Sequence, residues 1–344
     1  MKKNFNFFRG LTTVAALACV LFMTSCSDEP VDNSVSSLKT ENAKAFTLAN
    51  AETDFVTLEG KAGAFENGTR TTTAPGDDRG RFNITFRYLT QLTDRQLSVF
   101  ESAAARWERI IIKDVPSITG TIPSAFGGVP PIVENGTIDD IVIEVVIAPI
   151  DGPGQVLGQA GPRFTRTSDG LTVTGLMFFD VDDLDFLDEL DLFEDVIVHE
   201  MGHVLGVGTL WRGKGLIGGP DSNPYFTGKK ANVFWNAEGG EFELPIENAG
   251  GPGTALGHWR ESLLRNELMT GFINLGENPL SRITAGSLRD LGYGSSSVGE
   301  SYDLPKGTPG VNIGELAKSS EVNGLHIAKM EEILLPIGTI RTAK

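Results

Sequence analysis

Cysteine is scarce in this sequence. Of its 344 residues only two are cysteines, Cys19 and Cys26, and both lie in the first thirty positions. A disulfide framework is therefore excluded for the rest of the chain. Basic residues are also in deficit, since 29 Lys and Arg stand against 45 Asp and Glu, which gives a net charge of −16. A phosphate backbone would be repelled by this charge, so we expect no nucleic-acid partner.

Long apolar runs are also missing, with one exception near the first residue. The run Leu11–Met23 follows the basic residues Lys2, Lys3 and Arg9. It has about the length of a signal-peptide core, and it is too short to span a bilayer comfortably. We therefore predict a signal peptide over residues 1–25, which takes no part in the fold.

The end of this apolar run resembles a bacterial lipobox. It reads Met23-Thr24-Ser25-Cys26, and the resemblance implies that Cys26 becomes the lipidated first residue of the mature protein and attaches it to a membrane. The next residues, Ser27-Asp28-Glu29, resemble the acidic stretch of surface-exported lipoproteins. This implies an extracytoplasmic location, at the outer membrane or cell surface of a bacterium. The alternative is an ordinary cleaved signal followed by a chance cysteine.

The rest of the chain has a globular composition, with 40% hydrophobic residues, 41 glycines and 17 prolines. Residues 26–80 are rich in Ser, Thr, Asn, Asp and Glu, and we interpret them as a lipid-anchored tether or, alternatively, as a pro-segment. Residues 81–294 carry the periodic patterns of a folded domain. Residues 295–344 begin with glycine and serine and continue with short apolar runs, which predicts a small C-terminal appendage.

Hydrophobic periodicity in the folded part predicts helices packed against a twisted mixed sheet, which is an α+β fold. Thr93–Ile112 has the spacing of an amphipathic helix, with Thr93 as its N-cap. Residues 115–137 are predicted to be a loop, because they contain Pro130-Pro131 and several glycines. The predicted strands are Arg81–Leu89, Ile138–Ile150, Gln155–Phe164 and Leu176–Asp180.

An acidic segment follows the last of these strands. Residues 180–195 (DVDDLDFLDELDLFED) contain nine acids among sixteen residues. Carboxylate oxygens suit Ca²⁺, but the segment lacks the EF-hand pattern with its central glycine. We favour the alternative, a solvated loop that leads into a helix N-terminus, where negative charge is favourable.

The strongest chemical signal lies in Asp191–Gly206 (DLFEDVIVHEMGHVLG), which predicts an amphipathic helix ended by a glycine. His199 and His203 are four residues apart and share one face of this helix, with Cβ atoms about 5–6 Å apart. Both imidazoles can then reach one Zn²⁺ ion. Glu200 projects toward the water position, where it can take the proton of the water that attacks a carbonyl. The pattern predicts a metalloprotease; the alternative is two core histidines beside a surface glutamate.

Two histidines leave such a site incomplete, since a catalytic zinc ion usually has three protein ligands and one open position. In the common metzincin spacing the third histidine stands six residues after the second, but this position is Thr209. His258 and His326 are the other histidines of the chain. A glutamate on a following helix is the other option, but residues 207–250 offer no convincing helix. We therefore favour His258 and interpret His326 as structural or solvated.

Two segments carry a specific family resemblance. His199–Trp211 (HEMGHVLGVGTLW) and Glu247–Gly271 (ENAGGPGTALGHWRESLLRNELMTG) resemble the leishmanolysin family of zinc endopeptidases. In that family, a metzincin variant, a long insertion separates the turn glycine, here Gly206, from the third histidine. The resemblance implies His258 as third ligand and Met269 as the Met-turn residue, an apolar floor under the metal and not a ligand.

The resemblance extends over residues 81–294 and implies a metzincin-like catalytic domain with a twisted mixed sheet, an active-site helix and a mostly irregular C-terminal subdomain. Asn278–Tyr293 resembles the family's C-terminal helix, with Ile283, Leu288 and Leu291 facing inward. The chain departs from the parasite enzymes of the family because it lacks their disulfides and is shorter. Thr270 and Gly271 follow Met269 where some metzincins carry an oxyanion-stabilising tyrosine, so the sequence names no residue for that role.

Other residues near these motifs have two interpretations each. Trp259, Arg260 and Glu261 either orient His258 or serve ordinary packing and surface pairing. The segment Val156–Phe164 is a candidate edge strand of the cleft, to which a substrate backbone could add as an extra strand.

The sequence therefore predicts a secreted, lipid-anchored zinc endopeptidase whose partner is a protein or peptide substrate. His199, His203 and His258 would hold the metal, and Glu200 would be the general base. The alternative from another class is a surface binding or adhesion lipoprotein with a structural zinc site. Structural zinc sites usually have four protein ligands, and the sequence offers no fourth one. A third hypothesis is hydrolysis of a non-peptide amide or ester.

Overall fold

The computed structural model describes residues 46–49, 55–62, 81–249, 255–304 and 324–343. The predicted signal peptide and the predicted lipidation site Cys26 lie outside these residues. Among the described helices, none is both long and apolar enough to cross a membrane.

The described residues form six α-helices and fourteen strands. The helices are α1 (Asp94–Ile110), α2 (Val181–Glu189), α3 (Phe193–Leu205), α4 (Lys229–Ala237), α5 (Glu261–Leu264) and α6 (Arg282–Leu291), with a 3₁₀ turn at Ile327–Lys329. The strands are β1 (Val56–Ala62), β2 (Ile84–Tyr88), β3 (Ile118–Ile122), β4 (Val133–Ile138), β5 (Ile141–Ala148), β6 (Gly158–Arg166), β7 (Thr172–Asp180), β8 (Ile217–Gly218), β9 (Tyr225–Phe226), β10 (Leu244–Pro245), β11 (Ile273–Asn274), β12 (Gly324–Leu325), β13 (Glu331–Ile333) and β14 (Gly338–Ala343).

Nine strands form one mixed sheet in the order β2-β5-β7-β6-β14-β1-β3-β4, and β13 pairs with β6 off this path. The pairs β2–β5, β5–β7, β6–β14 and β14–β1 are parallel, whereas β6–β7, β1–β3 and β3–β4 are antiparallel. All eight residues of β5 are buried, as expected for an inner strand covered on both faces. The predicted mixed α+β architecture is confirmed.

The main core lies between the helices and one face of this sheet. Helix α1 begins at Thr93, which forms the predicted N-cap as part of a capping box with Gln96. Its Trp107 is fully buried, and the indole Nε1 donates a hydrogen bond to Val198 O of α3 at 2.9 Å. On the other side of α3, Thr172 Oγ1 of β7 donates to Val204 O at 2.9 Å. Helix α3 is thus fixed between α1 and the sheet.

Several sequence predictions about elements are confirmed and others are wrong. Four predicted strands are present, at 84–88, 141–148, 158–166 and 172–180. The predicted C-terminal helix is α6, and its Ile283, Leu288 and Leu291 are buried as expected. The predicted loop 115–137 instead contains β3 and most of β4, because Ile118, Ile122 and Ile138 are buried in a second apolar cluster. Residues 207–250, in which no helix was expected, contain α4, which buries Ala231 and Trp235.

The chain segments outside the predicted catalytic region also join the sheet. Strand β1 lies in the segment interpreted as a tether or pro-segment, and it pairs with β14 and β3. Strands β13 and β14 lie in the predicted C-terminal appendage and both pair with β6. In this structure β14 is thus an inner strand of the central sheet, and β13 adds to β6 off the main path of that sheet.

The acidic segment after β7 is mainly helical and not a loop. Asp180 caps α2 by accepting from Asp182 N at 3.0 Å. Its other oxygen accepts the backbone N–H groups of Ile150, Asp151 and Gly152, each at 2.9 Å. Burial by itself would raise the pKa of Asp180, but these backbone donors lower it below the usual value. Asp180 thus caps a helix that the sequence did not predict, whereas Glu194 and Asp195 lie in the first turn of α3, where negative charge was expected.

Candidate metal centre

Three histidines predicted as ligands lie together in the core. His199 and His203 stand one turn apart on α3, and His258 comes from the loop before α5. The three Nε2 atoms are 3.1–3.2 Å from one another, and all three side chains are fully buried. Ligand atoms placed tetrahedrally about 2.0–2.1 Å from one zinc ion would be about 3.3 Å apart. The spacing of the three nitrogens therefore suits such an ion.

The structure adds Glu331 of β13 to this group. Its Oε1 lies 2.9 Å from His258 Nε2, and its Oε2 lies 3.3 Å from His199 Nε2 and 3.5 Å from His203 Nε2. The four side chains form a buried group that could hold a metal ion. Glu331 is thus a candidate fourth ligand that the sequence did not indicate. No spacing rule pointed to Glu331, because it lies in a three-residue strand far along the chain from the motif helix.

The hydrogen bonds of two histidines favour a cation in this position. His199 Nδ1 is 2.7 Å from Leu268 O, and His203 Nδ1 is 2.9 Å from Val207 O. A carbonyl oxygen only accepts, so each Nδ1 carries a proton, which leaves Nε2 as the nitrogen whose lone pair can bind a metal ion. These lone pairs and the Glu331 carboxylate converge on one point. Without a cation they would repel one another, and this donor set, imidazole nitrogens with one carboxylate, fits zinc.

The end of α3 is shaped by a glycine and a threonine. Gly206 ends the helix in the left-handed region with φ 114°, and its N–H donates to Gly202 O and His203 O. Thr209, at the position where the common metzincin spacing has a histidine, donates its hydroxyl to His203 O at 2.7 Å. Thr209 thus caps the carbonyl of a candidate ligand. After Gly206, the next side chain that joins the two α3 histidines is therefore His258.

His258 is positioned by the extended backbone around it. Glu247 N donates to His258 O at 2.9 Å, and the next residue, Trp259, forms backbone bridges to Ile246 on one side and to Thr270 on the other. Trp259 is fully buried, stacks on Trp211 with ring centroids 4.4 Å apart, and donates its Nε1 to Thr284 Oγ1 at 2.8 Å.

Arg260 and Glu261, which follow Trp259, belong to the same loop framework. The Arg260 guanidinium donates to the carbonyl oxygens of Pro224 and Ile246 and to Asn223 Oδ1. Burial raises the pKa of Glu261 to about 7. The hydrogen bonds of Arg260 fix the loop that carries His258.

Met269 lies in a tight turn beneath α3. Thr270 N donates to Glu267 O at 3.1 Å to close this turn, and the buried Glu267 carboxylate accepts Met269 N at 2.7 Å. The same carboxylate accepts both hydroxyls of Ser281 and Thr284 at the start of α6. Leu268 O, which accepts from His199 Nδ1, belongs to this turn as well. The turn therefore orients His199 directly, through the Leu268 carbonyl.

The contact between α3 and this turn predicts a sensitive position at Gly202. A Cβ added there would lie 2.6 Å from Met269 Sδ, 2.8 Å from Met269 Cε and 3.0 Å from the Trp107 ring. We expect Gly202→Ala to lower the free energy of unfolding by about 1–3 kcal/mol through overpacking. Urea denaturation measures this change.

Gly213 provides the matched control for this prediction. A Cβ there would meet only Leu210 O, at 3.7 Å, among atoms within 4 Å, so Gly213→Ala should change stability by less than about 0.5 kcal/mol. Equal effects of the two substitutions would contradict the packing described for Gly202.

Glu200 lies beside the four-residue group with its side chain fully buried. Neither carboxylate oxygen receives a hydrogen bond from the described residues. Burial and then the negative charge of Glu331 raise the pKa of Glu200 well above its usual range. A buried carboxylate without donors is costly for the fold, so its retention beside three imidazoles needs a functional reason.

Two further sequence predictions concern the surroundings. His326 is not in the metal-facing group; its ring stacks on Phe272 with centroids 4.0 Å apart, in agreement with a structural role. Strand β6, the candidate edge strand, pairs with β7 on one side. Its other side, however, is covered by the chain's own β13 and β14.

Comparison of the sequence with protein-family models and with curated proteins finds no match in either case. The functional interpretation therefore depends on the residues and on the geometry of this chain.

Proposed function

We propose that this protein is a zinc endopeptidase of metzincin type. His199, His203 and His258 would hold the ion, with Glu331 as a fourth group in the described arrangement. Bound zinc would polarise the carbonyl of the scissile bond and lower the pKa of a water molecule. Support for the metzincin type comes from the helix that carries two of the histidines, the glycine that ends it, and the methionine turn beneath it.

Glu200 performs the proton transfers in this proposal. An ionised Oε atom accepts a proton from the attacking water, and the same carboxyl group then donates a proton to the leaving nitrogen of the peptide. The buried surroundings exclude bulk water and raise the pKa of this carboxyl group, so its ionised form binds a proton more readily than a solvated carboxylate does. The backbone carbonyls of Leu268 and Val207 hold two of the imidazoles in one tautomer and orientation.

The observation that carries the proposal is the position of Glu200. A closed structural site needs its ligands and no additional acid, yet here a buried carboxylate without hydrogen-bond donors lies next to the three imidazoles. General base catalysis gives this costly group a purpose.

A second candidate function is favoured by Glu331. Four protein ligands are the usual set of a structural zinc site, and Glu331 completes such a set. The protein would then be a surface binding or adhesion lipoprotein in which zinc stabilises the fold. In both candidates we propose attachment to a bacterial outer membrane or cell surface through Cys26.

Zinc-dependent hydrolysis of casein separates the two candidates, because only the peptidase should show it. The chain from residue 27 onward, as wild type and as the Glu331→Gln variant, is assayed for zinc content and for casein hydrolysis, before and after a chelator. We expect each protein to bind one zinc per chain. Where a protein hydrolyses casein, the chelator should abolish this activity, and added Zn²⁺ should restore it. Zinc bound to both chains without hydrolysis by either would support the structural site.

A further inference from the structure

We propose that residues 330–337, here called the C-terminal strap, form a built-in inhibitor that holds the peptidase latent. This inference rests on the proposed function and concerns its regulation. The strap lies in the substrate-binding edge of the cleft, and Glu331 takes the position that the attacking water would need. Release of the strap would turn the enzyme on.

The strap binds β6 as an added strand, which is how extended peptides bind an exposed sheet edge. Glu331 pairs with Gly158, and Ile333 pairs with Ala160 in parallel register. Backbone hydrogen bonds flank these pairs, from Leu157 N to Met330 O at 2.7 Å and from Leu334 N to Ala160 O at 2.7 Å. The edge predicted for a substrate backbone is thus occupied by the protein's own chain.

Glu331 blocks the chemistry as well as the space. Its carboxylate contacts all three Nε2 atoms at 2.9–3.5 Å and also faces Glu200. It therefore lies against the metal-facing nitrogens and close to the proposed general base. A water molecule cannot occupy the same position, so the closed arrangement cannot hydrolyse a peptide.

The strap also forms one wall of an apolar cavity beside the site. The cavity has a volume of about 800 Å³, and the strap contributes Ile333, Leu335 and Pro336 to it. Gly257, which precedes His258, lies on another wall. A peptide bound across the cleft would also place an apolar side chain in this cavity while a neighbouring group faces the metal ligands. The strap therefore resembles a bound ligand of the cleft.

Features of the strap favour release over permanent closure. Only three residue pairs join β13 to β6, and Leu335 is 62% exposed. Such a short element can leave without breaking the order of the other strands, because β13 pairs with β6 off the main path of the sheet.

The test compares Glu331→Gln with Glu332→Gln in the chain from residue 27 onward. Glu332 is the next residue, its side chain is exposed, and it accepts a hydrogen bond from Gln159. If the open form is about 0.1–10% of the wild type, as is usual for a minor state, Glu331→Gln should raise kcat/KM for a peptide substrate about 10- to 1000-fold. Glu332→Gln should change it less than about twofold.

A second readout reports on the metal without any hydrolysis. In protein loaded with Co²⁺ in place of zinc, visible absorption responds to changes in the ligands. Azide added to the Glu331→Gln variant should shift this spectrum, because a coordination position has been opened, whereas the wild type should not respond. An equal response of the two proteins would overturn the proposal.

A third variant displaces the strap without changing an acid. A Cβ on Gly161 would lie 2.1 Å from Leu334 O, so Gly161→Ala should push the strap away and also raise activity. If the wild type and Glu331→Gln are equally active while a Glu200 variant is inactive, the strap proposal fails and the peptidase stands. If zinc-loaded Glu331→Gln hydrolyses no peptide, both proposals fail together.

Discussion

Glu200→Gln is expected to lower kcat/KM for peptide hydrolysis by about 10²–10⁴-fold, the usual contribution of a general acid–base. Glutamine keeps the shape of the side chain but cannot accept the proton of the attacking water. Because Glu200 is not among the four residues of the metal-facing group, the variant should still bind one zinc per chain. The measurement is made in the Glu331→Gln background, so that closure of the cleft does not mask the effect.

Glu194→Gln is the matched control, since Glu194 lies in the first turn of the same helix and its side chain is 41% exposed. It should hydrolyse peptides at the rate of its parent. Undiminished activity of Glu200→Gln would refute the assignment of the general base. Loss of zinc in that variant would instead show that Glu200 supports the metal site itself.

His258→Ala is expected to abolish stoichiometric zinc binding and to remove the stabilisation that the metal gives to the fold. Binding to the folded state alone stabilises it by about 4 kcal/mol when free zinc is 1000-fold above Kd. A chelator should therefore lower the thermal midpoint of the wild type strongly but leave that of His258→Ala unchanged. Zinc content and thermal unfolding, each with and without chelator, measure both effects.

His326→Ala is the control for this experiment. His326 stacks on Phe272 outside the metal-facing group, so its loss should leave zinc content and chelator sensitivity intact. If His258→Ala kept one tightly bound zinc, the third ligand would have to be another residue. The proposed function would then lose the geometry on which it depends.

Local sequence patterns predicted those elements of this protein that depend on residues close together in the chain. The capping residue Thr93 and the buried face of α1 follow from the preferences of a helix start and from helical periodicity. The same patterns failed for residues 115–137 and for α4. In both cases prolines, glycines or asparagines suggested irregular structure, but contacts with distant apolar residues stabilise a regular element.

The candidate site shows the same division. The pair His199 and His203, with Glu200 between them, can be found from the sequence because helical geometry places residues four apart on one face. His258 was favoured by elimination and by family resemblance. Glu331 could not be found, because a glutamate in a short strand carries no signal until its strand is known to pair with β6.

The sequence by itself determined helix α3, its glycine stop at Gly206 and the chemistry of the two histidines, since each depends on neighbours within a few residues. Only the tertiary structure decided which distant residues complete the group. His258 reaches His199 across 59 positions, and Glu331 reaches both through the addition of β13 to the sheet. The physical reason is that such convergence depends on the path of the whole chain, which folds so that buried polar groups meet their partners.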